Sequence, residues 1–337
     1  MNKSDIAIVI LNWNGRALLE QFLPSVIAHS ENATIYVADN ASTDTSVAYV
    51  KSNHPTVKII ENKTNGGYAK GYNDALKHVD EKFLCLLNSD IEVTPNWLQP
   101  VLNIFNTHSD TAIIQPKILD YKNKRYFEYA GAAGGFIDKY GYPYCRGRIF
   151  DTIEEDLGQY NDTTSIFWAS GACFFIKNSV FKALNGFDAS FFAHMEEIDL
   201  CWRAHNRGYS TTYVGTSTVY HVGGATLDSD NPKKTYLNFR NSLFTLVKNA
   251  PKHLFYLIVI RLILDGLASL RFLIFFKFSQ ILAILKAHVH FYLQLPKLLK
   301  QRKELRPGKS SKRISKYYTI QSIVWQYFIK NQQKYIE

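Results

Sequence analysis

The chain has 337 residues, 46% hydrophobic and 20% charged, enough to bury a large core and form two domains or one domain with an appendage. Its net charge of +10 is unevenly placed: residues 251–337 hold 16 Lys or Arg against 3 Asp or Glu, whereas the preceding 250 hold 23 against 26. Only the tail therefore needs an anionic partner, and its high apolar content favours a membrane surface and argues against nucleic acid.

The first residues lead into Ile6-Ala7-Ile8-Val9-Ile10-Leu11, too short for a secretory signal and suited to a buried first strand. Cys85, Cys145, Cys173 and Cys201 are widely spaced without a CxxC pair, which fits a reducing cytosol. Apolar runs rich in β-branched residues recur at 6–11, 34–38, 57–60 and 83–87, separated by amphipathic stretches at 16–29, 44–52 and 68–79. That alternation predicts a mainly parallel sheet covered by helices. Each strand ends in turn-forming residues: Asn12-Trp13-Asn14-Gly15, Asp39-Asn40-Ala41-Ser42, residues 62–67 with Asn65, Gly66 and Gly67, and Asn88-Ser89-Asp90. Ligands bind at the carboxyl ends of parallel strands, so these loops are expected to line one crevice. Gly66-Gly67 would let a phosphate approach the backbone and the next helix N-terminus.

After Asn96 the pattern becomes irregular, and residues 126–150, rich in Gly and Tyr, read as a mobile or strand-poor cover. A strand at 172–176, a helix at 178–184, an acidic helix and strands at 210–214 and 217–221 follow. From Tyr236 onward the chain reads as helical. Arg261, Asp265, Arg271 and Lys277 interrupt its apolar runs, so helices lying in a membrane interface fit better than spanning ones. Packing on the first domain or in a homo-oligomer is the other use of such helices.

The acidic helix carries the most informative residues. Glu196 and Asp199 are three apart and share a helical face, with Glu197 turned about 100° away. Apolar neighbours such as Phe192, Met195, Ile198 and Trp202 would raise a carboxylate pKa towards that of a general base. Asp39, at a strand end, can accept from a base or ribose. Asp90 suits a divalent cation bridging a diphosphate, and His221, in Tyr220-His221-Val222-Gly223-Gly224, is a second candidate ligand favouring Mn²⁺ over Mg²⁺.

Together these pieces resemble the family 2 glycosyltransferases, inverting enzymes of the GT-A fold, and among them the rhamnosyltransferase-like members. The matching segments are residues 9–15, 37–44 and 65–73, Leu87-Asn88-Ser89-Asp90, Ser170-Gly171-Ala172-Cys173, the Glu-Glu-x-Asp-Leu helix and Tyr220-His221, in family order over 5–224. The resemblance implies an α/β GT-A domain (Rossmann-like sheet) over 1–235 and a basic, apolar helical region over 236–337. It implies that Asp39 contacts the nucleobase, that Asp90 and His221 hold Mn²⁺ or Mg²⁺, and that Glu197 or Glu196 is the base, the second glutamate being preferred by position. Asn12, Asn14, Asn65, Gly67, Asn88, Ser89 and Arg240 complete the expected nucleotide-sugar site. Two departures are visible: the metal motif reads Asn-Ser-Asp, leaving one carboxylate, and the usual Glu-Asp base pair reads Glu196-Glu197.

The implied reaction moves a sugar from dTDP-rhamnose or a UDP-sugar to a hydroxyl of a lipid-linked or polysaccharide acceptor. Its implied setting is the cytoplasmic face of the membrane, with peripheral attachment to an anionic surface. A sugar nucleotidyltransferase would carry a Gly-rich, Arg- or Lys-bearing loop after the first strand, which residues 12–15 lack. A non-catalytic membrane-surface protein that binds nucleotide sugars has no need of the intact acidic residues at 39, 90 and 196–199.

Overall fold

The computed structural model describes residues 5–223, 231–305, 314 and 316–336; Gly224 and the basic residues of 306–313 lie outside them. The first half alternates as the apolar runs predict: β1 (Ile6–Asn12), α1 (Arg16–Ala28), β2 (Ala33–Asp39), α2 (Ser46–Asn53), β3 (Lys58–Glu61), α3 (Gly67–Ala75) and β4 (Phe83–Asn88). β1 lies between β2 and β4, parallel to both, and β3 adds to β2 in parallel. Leu84, Cys85 and Leu86 on β4 are wholly buried, as expected for a strand covered on both faces.

The irregular stretch after Asn96 is more regular than its pattern. It forms α4 (Leu98–Thr107) and a ten-residue strand, β6 (Thr111–Asp120), preceded by the short β5 (Ile91–Val93). Residues 126–150 correct the expectation of a mobile cover. They build β7 (Gly135–Ile137), β8 (Pro143–Cys145) and β9 (Arg148–Ile149), which with β10 (Thr152–Ile153) form a separate four-stranded sheet. The strands are too short for a period of two to show, and Ile137, Tyr144 and Cys145 are nevertheless buried.

The chain returns to the main sheet as β11 (Thr163–Ile166) and β12 (Cys173–Lys177), then α5 (Asn178–Ala183), the acidic helix α6 (Glu196–His205) and β13 (Ser210–His221). The strands expected at 210–214 and 217–221 are one strand with a register shift between Val214 and Thr218. The nine-stranded sheet runs β11-β13-β6-β12-β4-β1-β2-β3, with β5 on β13. β12 is antiparallel to β4 and β6, whereas β13 is parallel to β6.

The C-terminal region is helical as expected: α7 (Pro232–Asn249), α8 (Leu254–Ile274), α9 (Phe278–Glu304) and α10 (Ile323–Phe328). The boundary expected at 235 falls in the first turn of α7, where Asn231 caps the helix by accepting from the Lys233 N–H. Leu243, Leu246 and Val247 of α7 join the main core, so this region is tied to the sheet domain.

Candidate active site

Asn12 and Asp39 stand opposite each other where β1 and β2 end. The Asn12 amide lies 3.1 Å from Asp39, 3.2 Å from Ser42 Oγ and 2.9 Å from Ser46 Oγ, and the second Asp39 oxygen accepts from the Ser42 N–H at 2.9 Å. Asn14 takes a left-handed backbone (φ 51°), which asparagine tolerates, and its Oδ1 accepts from the Thr43 N–H at 2.7 Å and the Asp44 N–H at 3.2 Å. Both asparagines thus tie the β1–α1 loop to the β2–α2 loop. Gly15 allows this, since a Cβ there would lie 2.5 Å from Asn12 Oδ1.

In the β3–α3 loop, Asn65 Oδ1 accepts from the Gly67 N–H and from the Asn40 amide, both at 2.9 Å. Gly67 has φ 76°, and a Cβ on it would meet the Phe192 carbonyl oxygen at 2.5 Å. The close approach expected of a phosphate is therefore made by the chain leading into α6, and the Gly67 N–H is committed to Asn65.

The pairing of β13 with β5 sets His221 opposite Ile91 and so beside Asp90. His221 Nε2 is 3.2 Å from Asp90 and 3.3 Å from the Asn88 amide, and Nδ1 is 3.3 Å from Glu128. All three ionisable groups are at most 5% exposed. Burial would lower the imidazole pKa, but Glu128 and Asp90 push it up to about 10. Burial would likewise raise Asp90, yet the hydrogen bond and charge of His221 hold it below the usual carboxylate range. Ser89 lies under Gly15, its Oγ 3.7 Å from where a Cβ on that glycine would be.

One carboxylate beside one imidazole nitrogen, with a second carboxylate on the other nitrogen, is a donor set that fits a divalent cation once Nε2 gives up its proton. Among the described residues no group of three or more His, Cys, Asp or Glu is arranged to hold a metal by itself. The diphosphate of a donor would have to complete the coordination. Glu128 carries no signal in the sequence because it sits between β6 and β7 in a segment without periodicity.

The turn before α6 is strained. Phe192, His194 and Met195 have φ of 67°, 68° and 72°, a region costing non-glycine residues about 1–2 kcal/mol each. Two adjacent residues of α7 hold it. Asn241 donates to the carbonyls of Phe191, Ala193 and His194 at 3.1, 3.0 and 2.7 Å, and Arg240 donates to those of Ser190 and Phe191 at 3.0 Å each. Arg240, expected in the nucleotide-sugar site, serves here with the adjacent Asn241 as a clamp on backbone carbonyls.

Glu196 and Glu197 open α6 in contrasting states. Glu196 is 4% exposed and Glu197 is half-buried, and each has an oxygen without a hydrogen-bond partner. Burial, then the charge of Glu197, drives the Glu196 pKa well above its ordinary value. Burial pushes Glu197 up to about 7, moderated by backbone N–H groups at the helix start. Burial, then the charges of Tyr72 and both glutamates, raises the Tyr68 pKa, and its hydroxyl donates to the Gly171 carbonyl at 2.8 Å. His194, also missed from sequence, has an unpartnered Nε2 and a pKa lowered to about 4 by burial and Lys234.

Asp199 does not share the setting of Glu196 that their common helical face suggests. It is fully buried against α7, where it accepts from Arg203 Nε at 2.8 Å, Lys248 Nζ at 2.9 Å and the Asn249 amide at 2.8 Å. Lys248 also reaches Asp188 at 2.8 Å and, against the effect of burial, holds that carboxyl well below the usual range. Asp199 is a structural anchor.

Residues 7–184, just over half of the chain, match the description "Glycosyl transferase family 2". The chain is 23% identical over 233 residues to an N-acetylglucosaminyl-diphospho-decaprenol L-rhamnosyltransferase of Mycobacterium tuberculosis, covering 64% of this chain and 75% of that one. It is 23% identical over 246 residues to a low-salt glycan biosynthesis hexosyltransferase of Haloferax volcanii, covering 70% and 74%. Among solved structures, GalNAc-T7 with UDP, GalNAc and Mn²⁺ superposes with a TM-score of 0.59 at 16% identity, over 75% of this chain and about half (49%) of that one. The Pyrobaculum calidifontis mannosyltransferase with GDP-Man and Mn²⁺ gives 0.51 at 14% identity, over 89% and 73%. The chain belongs to glycosyl transferase family 2 and is a glycosyltransferase of the GT-A fold.

Proposed function

We propose that this glycosyltransferase inverts the anomeric centre of a nucleoside-diphosphate sugar, dTDP-rhamnose or a UDP-sugar, as it moves the sugar to a hydroxyl of a lipid-linked or polysaccharide acceptor. The observation that carries this reading is the pair Glu196–Glu197, desolvated and with unpartnered oxygens at the start of α6. A base with a pKa near neutrality is matched to taking a proton from a sugar hydroxyl. Glu197, the more exposed of the two, takes that proton as the acceptor oxygen attacks the anomeric carbon from the face opposite the leaving diphosphate. Glu196, close by and desolvated, keeps the shared proton affinity of the pair high. A single displacement of this kind inverts the configuration.

Asp39, with Asn12 and Asn14 fixing its loop, receives the nucleobase end of the donor, and Asn65, Gly67, Asn88 and Ser89 border the rest. Asp90 and His221 would hold Mn²⁺ or Mg²⁺, with Glu128 orienting the imidazole. When bound, the cation neutralises the charge that develops on the β-phosphate. Arg240 enters this site through the α6 turn that it clamps. The lipid diphosphate in the name of the mycobacterial relative supports a lipid-linked acceptor in cell-surface glycan synthesis. The working place that follows is the cytoplasmic face of the membrane, with the protein peripherally attached; among the described residues no helix is long and apolar enough to cross one.

The test is release of nucleoside diphosphate from a panel of UDP- and dTDP-sugars by the full chain, with Mn²⁺, Mg²⁺ or chelator. NMR of the product follows the anomeric configuration. Retention of configuration, or full turnover in excess chelator, overturns the corresponding part of the mechanism.

A further inference from the structure

We infer that the outer face of the α8–α9 hairpin is a docking surface for an anionic lipid bilayer, lying flat on it. This deepens the proposed function by naming the surface that would bring the site to a membrane-held acceptor, and it rests on that reading only for its purpose.

The sequence shows helices whose apolar runs are broken by charge, but the structure sorts the two apart. Arg261 and Asp265 point inward, 2.8 Å from each other. Tyr142 and His288 complete the arrangement, the tyrosine hydroxyl donating to Asp265 at 2.9 Å and His288 Nε2 lying 3.1 Å from it. The Arg261 guanidinium also lies 3.8 Å from the centre of the Tyr142 ring. With those charges paired inside, α8 exposes Phe255, Val259, Ile263, Leu267, Leu270 and Ile274 at intervals of three and four residues, which is one face of a helix. α9 continues the pattern with Phe278, Leu282, Leu285 and Val289. The two stripes meet at the turn, where Phe276 is 79% exposed. A 21-residue helix is about 30 Å long at 1.5 Å per residue, so this apolar surface far exceeds the scattered exposed residues of an ordinary monomer.

Charge decides the occupant. Along the hairpin the exposed charged residues include Arg271, Lys286, Lys297, Lys300 and Lys303, and its one exposed acid is Glu304, 4.0 Å from Lys300. A two-fold contact between copies of the chain places the same patch against itself, so these cations would face one another with almost no acid to neutralise them. Anionic headgroups satisfy the cations while the acyl boundary takes the stripes.

The experiment floats the full chain with vesicles of phosphatidylcholine, with and without phosphatidylglycerol, over a range of salt. Phosphatidylglycerol should strengthen binding on the order of tenfold at low salt, and a salt-resistant part should persist. Leu267→Glu with Leu270→Glu should weaken binding on the order of tenfold at every salt concentration. Both sites are exposed, so the circular dichroism spectrum and melting temperature should stay as in the parent. Phe276→Trp should give an emission that shifts to the blue when vesicles are added. Binding that ignores the stripe substitution overturns the inference. So does absence of vesicle binding, and if a concentration-dependent dimer is then abolished by the same substitution, the face belongs to a second copy. Donor turnover measured without vesicles separates the two failures: vesicle binding without donor turnover overturns the proposed activity, and turnover without vesicle binding overturns this docking surface.

Discussion

The carboxyl ends of β1 and β2 and the amino end of α6 are both lined by polar residues, yet they are cross-linked to different degrees. At the first, the Asn12 side-chain amide, the Asn14 backbone N–H, the Asp39 carboxylate and the Ser42 hydroxyl are linked to one another across two loops, with Asn12 Oδ1 left unpartnered and Asn14 and Ala41 at positive φ. At the second, Glu196, Glu197 and His194 each have a polar atom without a partner, and three non-glycine residues are kept in the left-handed region. Unsatisfied buried groups and backbone strain persist only where the surrounding structure enforces them. The enforcement here comes from Arg240 and Asn241 on the turn, and from Asp199, Arg203 and Lys248 one helical turn further on. The first region is a cross-linked scaffold, and the second is poised for proton transfer.

The largest effect should come from the anchor. Asp199→Ala leaves the Arg203 and Lys248 charges buried with fewer partners and should cost about 3–5 kcal/mol in urea unfolding, with turnover lost as the protein unfolds. A neutral result would mean that the anchor is not what enforces the α6 start.

Glu197→Gln should do the reverse for stability while removing function. Turnover should fall about 10²-fold or more with donor binding kept, and Glu196→Gln should cost less. Because the folded pKa of Glu197 is raised, its ionised form is disfavoured in the native state. That penalty is absent below about pH 4.5, grows towards pH 7 and is complete above it. The glutamine variant should therefore be more stable than the parent by about 1–3 kcal/mol at pH 8 and equal to it at pH 4. In the parent, turnover should fall as pH drops below about 7, where the base becomes protonated. Equal stability of variant and parent at pH 8 would argue that the pair is hydrogen-bonded in solution.

Arg240→Lys sharpens the comparison at the clamp. Loss of the two-carbonyl fork should lower turnover about tenfold through misplacement of Glu197 and leave the donor KM nearly unchanged. A direct contact with the diphosphate would instead show as a raised donor KM. The smallest effect should be that of Ser42→Ala, which removes one partner each from Asn12 and Asn14 in an otherwise linked network. About 1 kcal/mol of stability should be lost, with little change in turnover.

The local pattern of the sequence determined the parallel core and the loops at its edge. Strands with a continuous apolar run and helices of regular period carry their own signal, as β1 to β4 and α1 to α3 do. The apolar neighbours of Glu196 and Glu197 likewise make a raised carboxylate pKa legible from the sequence alone. Only the tertiary structure decided what neighbouring residues do with the same chemistry. It assigned Asp199 to an anchor because Lys248 and Asn249 arrive from α7, about 50 residues away. It placed Glu128 on His221 from the segment between β6 and β7, which has no period to read. It turned Arg261 and Asp265 inward, leaving an apolar surface where the sequence showed interrupted helices. Backbone periodicity fixes which residues share a face, but the partner that a face meets is set by packing between distant segments, and the partner determines whether a buried charge is paired or available for chemistry.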